Sequence, residues 1–162
     1  MKRNMDQWTN DLLAAETKKA VPVLSFPSIQ LLGITVKDLI SDSDLQARGM
    51  KAVADRTDAG AAVSLMDLSL EAECFGAPIR VSDDEVPTVT GPVISTEVEE
   101  DERMAQAEAL AVPEIGAGRT QIYIDAIEKV MGMIEDRPVL AGVIGPFSLA
   151  GRLLDVTQAL IY

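Results

Sequence analysis

The sequence predicts an α/β protein whose strands are parallel and covered on both faces. Short apolar runs at 21–26, 61–66 and 139–144 alternate with stretches of helical periodicity. None of these runs alternates apolar with polar residues, as a strand of a one-sided antiparallel sheet would. Turn and cap residues then separate each run from the helical stretch that follows, the order of β/α units.

Size and composition fit that class. At 162 residues the chain suits one ordinary domain, and 48% hydrophobic with 25% charged residues is the balance of a soluble globular protein. Aromatics make up 4%, so the core rests on Ala, Val, Leu, Ile and Met. The net charge of −12 repels nucleic-acid phosphates, and no Lys/Arg cluster offsets it locally. The acids concentrate at 83–85 and 97–102, as solvated faces or loops do. No apolar run approaches the roughly 18 to 20 residues that span a bilayer. Residues 1–16 lack the apolar core of a signal peptide. With one cysteine, Cys74, no internal disulfide forms, and the expected location is cytoplasmic, with neither a nucleic-acid nor a membrane partner. The chain has no histidine. It therefore cannot assemble a Ser–His–Asp or Cys–His catalytic set, nor close a typical zinc site, and no metal ligands are assigned.

In chain order, residues 5–19 read as an amphipathic helix with Met5, Trp8, Leu12 and Ala15 on one face and Lys18 and Lys19 at its C-terminal end. It forms an N-terminal element, 1–20, ahead of the body at 21–162. The run 21–26 is the expected first strand, with Pro22 near its start, where a ladder donor is dispensable. Gly33 splits the apolar stretch 28–40 into two pieces, and Thr35 caps the second, with Asp38 in its first turn. A helix follows over 44–57, with Leu45, Met50, Val53 and Ala54 facing inward. The strand 61–66 comes next.

The segments 78–82 and 86–94 read as a hairpin-like excursion outside the main sheet, because Pro87, Gly91 and Pro92 argue against a central strand. An acidic helix over 96–110 opens with a capping box, Thr96 and Glu99. After a two-glycine loop at 114–118, a helix over 119–134 buries Ile122, Ala126, Val130 and Met133. The third strand, 139–144, runs into Gly145-Pro146-Phe147-Ser148, with Ser148 capping a last helix over 149–160. That turn either brings backbone close to a ligand or simply joins strand to helix.

The most informative stretch is 60–76. A buried strand ends, Asp67 sits at its C-terminal tip, and a helical turn begins. Ligands meet parallel sheets and barrels at such tips, which makes Asp67 the candidate catalytic residue. An Asp in this place also serves as the N-cap of the next helix, and the two roles are compatible.

Three motifs now stand in order: Leu31-Leu32-Gly33-Ile34-Thr35, the strand ending at Asp67, and Gly145-Pro146-Phe147-Ser148-Leu149-Ala150. Together, over about residues 20–162, they resemble the uroporphyrinogen decarboxylase superfamily. That superfamily includes the cobalamin-dependent methyltransferases, which pass a methyl group from a corrinoid protein to a thiol such as coenzyme M. The resemblance implies a partial (β/α)₈ TIM barrel of about three β/α units, since a complete one takes roughly 250 residues. The run Glu71-Ala72-Glu73-Cys74-Phe75-Gly76 resembles the Glu-Ala-Glu-x-Phe-Gly of the methyltransferase branch. Ser25–Gln30 lacks the arginines of the decarboxylase loop, and Arg152 stands where the decarboxylases place a tyrosine.

By resemblance, Glu71 and Glu73 line one wall of the site, and Gly145, Pro146, Phe147 and Arg152 face substrate or corrinoid. The family also implies zinc, held by a His-x-Cys pair and a later Cys, and a corrinoid on a partner protein. Neither cofactor is expected on this chain alone. The expected activity is therefore that of an N-terminal portion of the methyltransferase, inactive by itself. A decarboxylase-like fragment using Arg80, Arg119 and Arg152, or a non-enzymatic binding module, are the alternatives. Uncovered strand edges predict a homo-oligomer.

Overall fold

The computed structural model describes residues 3–161. Met1, Lys2 and Tyr162, at the outer ends of the expected 1–20 and 21–162 segments, lie outside the described residues. The elements follow in the order α1 (Met5–Ala14), α2 (Ser28–Leu32), α3 (Val36–Ser41), α4 (Ser43–Arg56), β1 (Ala62–Val63), α5 (Leu70–Cys74), β2 (Ile79–Arg80), β3 (Thr88–Val89), α6 (Glu100–Glu108), α7 (Thr120–Met131), β4 (Val139–Leu140), α8 (Pro146–Leu153) and α9 (Val156–Ile161). The fold is mixed helix and sheet.

The central pair is parallel, as expected: Ala62 aligns with Val139 and Val63 with Leu140. The Ser64 N–H donates to the Leu140 carbonyl at 2.9 Å, and the Gly142 N–H reaches the Ser64 hydroxyl at 2.8 Å. The ladder is shorter than the apolar runs that build it, and beyond Gly142 the second run leaves Val143 exposed.

The expected strand at 21–26 is not a strand. It nevertheless lies where a strand would, because the Gly60 N–H bonds the Ala20 carbonyl and the Met66 N–H bonds the Ser25 hydroxyl. Ala20 meets Gly60 and Ser25 meets Met66, so the segment runs parallel to β1. Pro22 has no N–H to give to a ladder. The excursion is a separate antiparallel hairpin, β2 with β3, pairing Ile79 with Val89 and Arg80 with Thr88. It is tied down at both sides: the Val36 N–H donates to the Asp83 carbonyl, and the Val93 and Ile94 N–H groups share the Leu153 carbonyl.

Local chemistry explains most helix ends. Thr35 and Asp38 form a full capping box on α3, and the Asp42 carboxylate takes the Asp44 and Leu45 N–H groups at the start of α4. Helix α1 stops at Ala14, five residues early, and Lys18 folds back so that its ammonium donates to the Leu12 and Leu13 carbonyls. The Thr96–Glu99 box does not form. Helix α6 begins at Glu100 with Glu99 as an uncapped N-cap, and its acidic first turn lies at the positive end of the helix dipole. Ser148 lies inside α8, whose N-cap is Gly145 with Pro146 at the first position. The expected last helix breaks at Leu154, and Asp155 caps α9 through the Thr157 and Gln158 N–H groups.

The core centres on α4 packed against α7 over β1 and β4. Ala47, Met50, Ala54, Ala62, Val130 and Ile134 form its buried heart. The α4 face is rotated from the expected one: Gln46, Ala47 and Gly49 are buried, whereas Leu45 and Val53 are half-buried. Helix α7 ends at Met131, three residues before the expected end, and beyond it Ile134 is buried in place of Met133, which is exposed. Gly49 marks a close approach of α2 to α4. A Cβ there would lie 2.6 Å from the Ser28 hydroxyl, which is fully buried and bonded to the Ser25 carbonyl.

Gly49→Ala is therefore expected to destabilise the fold by about 1–3 kcal/mol, against the roughly 1 kcal/mol that Ala gains in an exposed helix. Urea denaturation should show the loss reduced when Ser28→Ala is added, because the hydroxyl that obstructs the new methyl is then gone.

Candidate functional site

Asp67 sits three residues beyond the Ser64 contact, at the tip of β1, and its side chain is completely buried. A buried carboxylate needs a partner and hydrogen bonds to offset its lost hydration. Asp67 has both. Oδ1 accepts from the Ser69 N–H at 2.9 Å and from the Ser69 hydroxyl at 2.6 Å. Oδ2 accepts from Arg119 Nη1 at 2.7 Å and from the Tyr123 hydroxyl at 3.0 Å. The Ser69 bond is a local Asx turn that delivers the chain into α5, so the carboxylate performs the cap-like task from two residues upstream of the helix N-cap.

Arg119 is the hub. Besides Asp67 it donates Nε to Glu73 at 2.7 Å and Nη2 to the Ser69 hydroxyl at 3.4 Å. Burial works against its charge, but the bonds to Asp67 and Glu73 outweigh burial and raise the guanidinium pKa. The two glycines ahead of it, Gly116 and Gly118, hold φ of 84° and 54° and turn the loop into α7. Arg119 and Tyr123 then stand one helical turn apart, on the same face. Burial, followed by the Asp67 charge, pushes the Tyr123 phenol far above its ordinary value, so it remains a donor at any physiological pH.

Beside this network lies an apolar cleft of about 470 Å³. Its floor is Ser64 with 141–144, beyond the C-terminal ends of β1 and β4. Its walls come from α5, α7 and the loop 112–116. Of the expected site residues, only Glu71 lines it, and the Glu71 carboxylate also accepts the Ile144 N–H at 3.0 Å. Asp67 is not part of the cleft wall, whereas Tyr123, whose hydroxyl donates to it, is. Glu73 faces Arg119. Gly145 and Pro146 start α8, and Phe147 is 54% exposed. Arg152, in the last turn of α8, is half-buried and likewise off the cleft wall.

Sequence reasoning named Arg119 only as a cation for acidic substrates and missed Tyr123 altogether. The available signal was their spacing of four on a predicted helix, directly after a glycine-rich turn.

The residues present do not fit zinc. The chain has no histidine, and among the described residues no three of His, Cys, Asp and Glu gather to hold a metal. The Cys74 thiol faces the carbonyls of Leu70 and Ala117, at 3.4 and 3.3 Å. Burial, then Glu73 and Glu71, push its pKa up, away from thiolate character.

An apolar cleft with few polar groups, walled by the tips of parallel strands, is the ligand-site arrangement of α/β proteins. The chain belongs to the uroporphyrinogen decarboxylase (URO-D) family, whose profile matches residues 17–161. Its fold is similar to that of a methyltransferase from Methanosarcina mazei, with a TM-score of 0.75 and 18% identity. That likeness covers 99% of this chain and 48% of the methyltransferase, so the chain spans about half its length. No curated protein matches the chain significantly in sequence. Among the described residues no helix is long and apolar enough to cross a membrane.

Tyr123 gives the site a pH signature. A phenol whose folded pKa is raised binds its proton more tightly folded than unfolded. Its stabilisation is thus complete below the unfolded value near pH 10 and is lost as pH rises beyond it, by about 1.4 kcal/mol per unit. Denaturation at pH 9 and pH 11 should show the native chain losing about that much more than Tyr123→Phe.

Proposed function

We propose that the chain is the N-terminal portion of a corrinoid-dependent methyltransferase, one that moves a methyl group from a methylated corrinoid protein to a thiol such as coenzyme M. On this reading it is a partial (β/α)₈ barrel: the parallel pair, the segment 20–25 running beside it and the likeness to the Methanosarcina methyltransferase support the first three units. Helix α1, Met5–Ala14, is an added N-terminal element.

One observation carries the choice of branch. Among the described residues no Lys or Arg lines the cleft. Arg119, beside it, is neutralised by Asp67 and Glu73. A decarboxylase acting on a tetrapyrrole must bind several carboxylates, and this wall offers them no positive charge. It offers apolar surface instead, from Ile124, Ile127, Leu70 and Ile144. Such a wall excludes water, which strengthens a thiolate nucleophile toward a methyl group.

The chain's own share of the work is therefore to bind and to keep dry. Glu71 holds the 144–145 turn in place, and Arg119 holds Asp67 and Glu73 away from the cleft. Among the described residues no zinc set forms, and activation of the thiol is assigned to the part of the methyltransferase that this chain does not span. The corrinoid arrives on its own protein.

Free methylcobalamin serves as the probe. Equilibrium dialysis should show the 162-residue chain retaining it, with retention weakened at least several-fold by Ile124→Glu, while uroporphyrin is not retained. No methyl transfer to coenzyme M is expected from the chain alone. Tighter retention of uroporphyrin than of methylcobalamin would contradict the assignment and favour the decarboxylase.

A further inference from the structure

Hydrogen bonding divides the polar side chains of the cleft into those already engaged and those left open. The Tyr123 hydroxyl donates to Asp67, the Thr120 hydroxyl to the Ala117 carbonyl, and the Cys74 thiol to the carbonyls of Leu70 and Ala117. Ser64 is buried on the floor, where its hydroxyl accepts the Gly142 N–H. Two carboxylates remain, Glu71 and Glu114, and Glu114 is exposed. Glu71 is half-buried, and one of its oxygens is engaged: Oε1 accepts the Ile144 N–H at 3.0 Å. Oε2 has no hydrogen-bond partner among the described residues. Leu70 and Ala72, on either side, are buried and anchor α5. A carboxylate held by one oxygen on an anchored helix offers its other oxygen as a preorganised acceptor. Such a group accepts an N–H and repels a carboxylate, sulfonate or phosphate.

We infer that Glu71 is the specificity-determining residue of the cleft, accepting a hydrogen bond from a carboxamide N–H at the edge of a corrinoid. This rests on the corrinoid reading above and narrows it. A corrin ring carries its side-chain acids as amides, which present N–H donors around an apolar macrocycle. An apolar wall with one open acceptor matches that pattern. A volume of about 470 Å³ takes such an edge rather than the whole cofactor. Hydrolysing the facing amide to a carboxylate replaces the donor by a like charge. The lost hydrogen bond to a charged group is enough for a difference of about tenfold or more in affinity. The net charge of −12 also repels any anion, but Glu71→Gln removes one charge of that total, so contact at Glu71 and the long-range field are separable.

Equilibrium dialysis of the 162-residue chain compares methylcobalamin with methylcobalamin whose peripheral propionamides have been hydrolysed to carboxylates. The native chain should retain the amide form at least about tenfold more tightly, a comparison that depends on no variant folding. Glu71→Gln keeps a carbonyl for the Ile144 N–H and adds an N–H of its own. It should shrink the ratio several-fold, through tighter retention of the carboxylate form, with unchanged circular dichroism. Glu128→Gln, the same loss of charge at an exposed position off the cleft lining, should leave the ratio in place. Equal retention of the two forms by the native chain, a ratio that survives Glu71→Gln in a folded variant, or a ratio that Glu128→Gln shrinks as much would each overturn the inference and leave the corrinoid reading standing. Retention of neither form would overturn that reading, and this inference with it.

Discussion

The structure depends on one buried ion pair. The Asp67 side chain has no contact with water, and that of Arg119 is 15% exposed. An unpaired carboxylate at that depth would cost several kcal/mol, so the end of β1 is habitable only when α7 delivers its guanidinium. The pair joins parts of the chain 52 residues apart in sequence. With Glu73 and Tyr123 it fixes β1, α5 and α7 relative to one another. The apolar packing of α4, α7 and β1 is strong but non-directional, and the polar network adds orientation.

That constraint shapes the site. Because Asp67 and Glu73 share the one guanidinium of Arg119, no positive charge is left for a ligand, and the neighbouring cleft is mostly apolar although carboxylates surround it. Tyr123 is the link: its hydroxyl belongs to the network, and the residue also lines the cleft. Glu71 and Glu114 are the carboxylates at the cleft wall, and the structural task of Glu71 is to hold the Ile144 N–H. The same arrangement accounts for Cys74. Flanked by Glu73 and Glu71 and partly buried, its thiol remains protonated and acts as a small packing group.

Much of the fold was legible in the sequence because it is written locally. Thr35 with Asp38, Asp42, and Gly33 with its left-handed φ of 66° mark their helix ends by chemistry that needs no distant partner. The hairpin excursion followed from its prolines and glycines. The boundaries that failed depended on context. Residues 21–26 have strand composition, but Pro22 lacks a ladder donor and 25–26 already turn into α2. Thr96 had the spacing of a cap, yet the acids that follow it place the helix start later, at Glu100. The site was half-legible. The tip of β1 announces Asp67, but that an arginine and a tyrosine from α7 surround it is a tertiary fact, visible in sequence only as a spacing of four.

The most direct test is a double-mutant cycle on the pair, with Asp67→Asn, Arg119→Met and both together compared by urea denaturation. Each single change is predicted to cost about 3 kcal/mol or more, because it strands the other partner in the interior, and the double variant to recover about 2 kcal/mol of the summed loss. Single losses that add to within about 0.5 kcal/mol would show that the two side chains do not depend on each other, and would contradict the central role given to the pair.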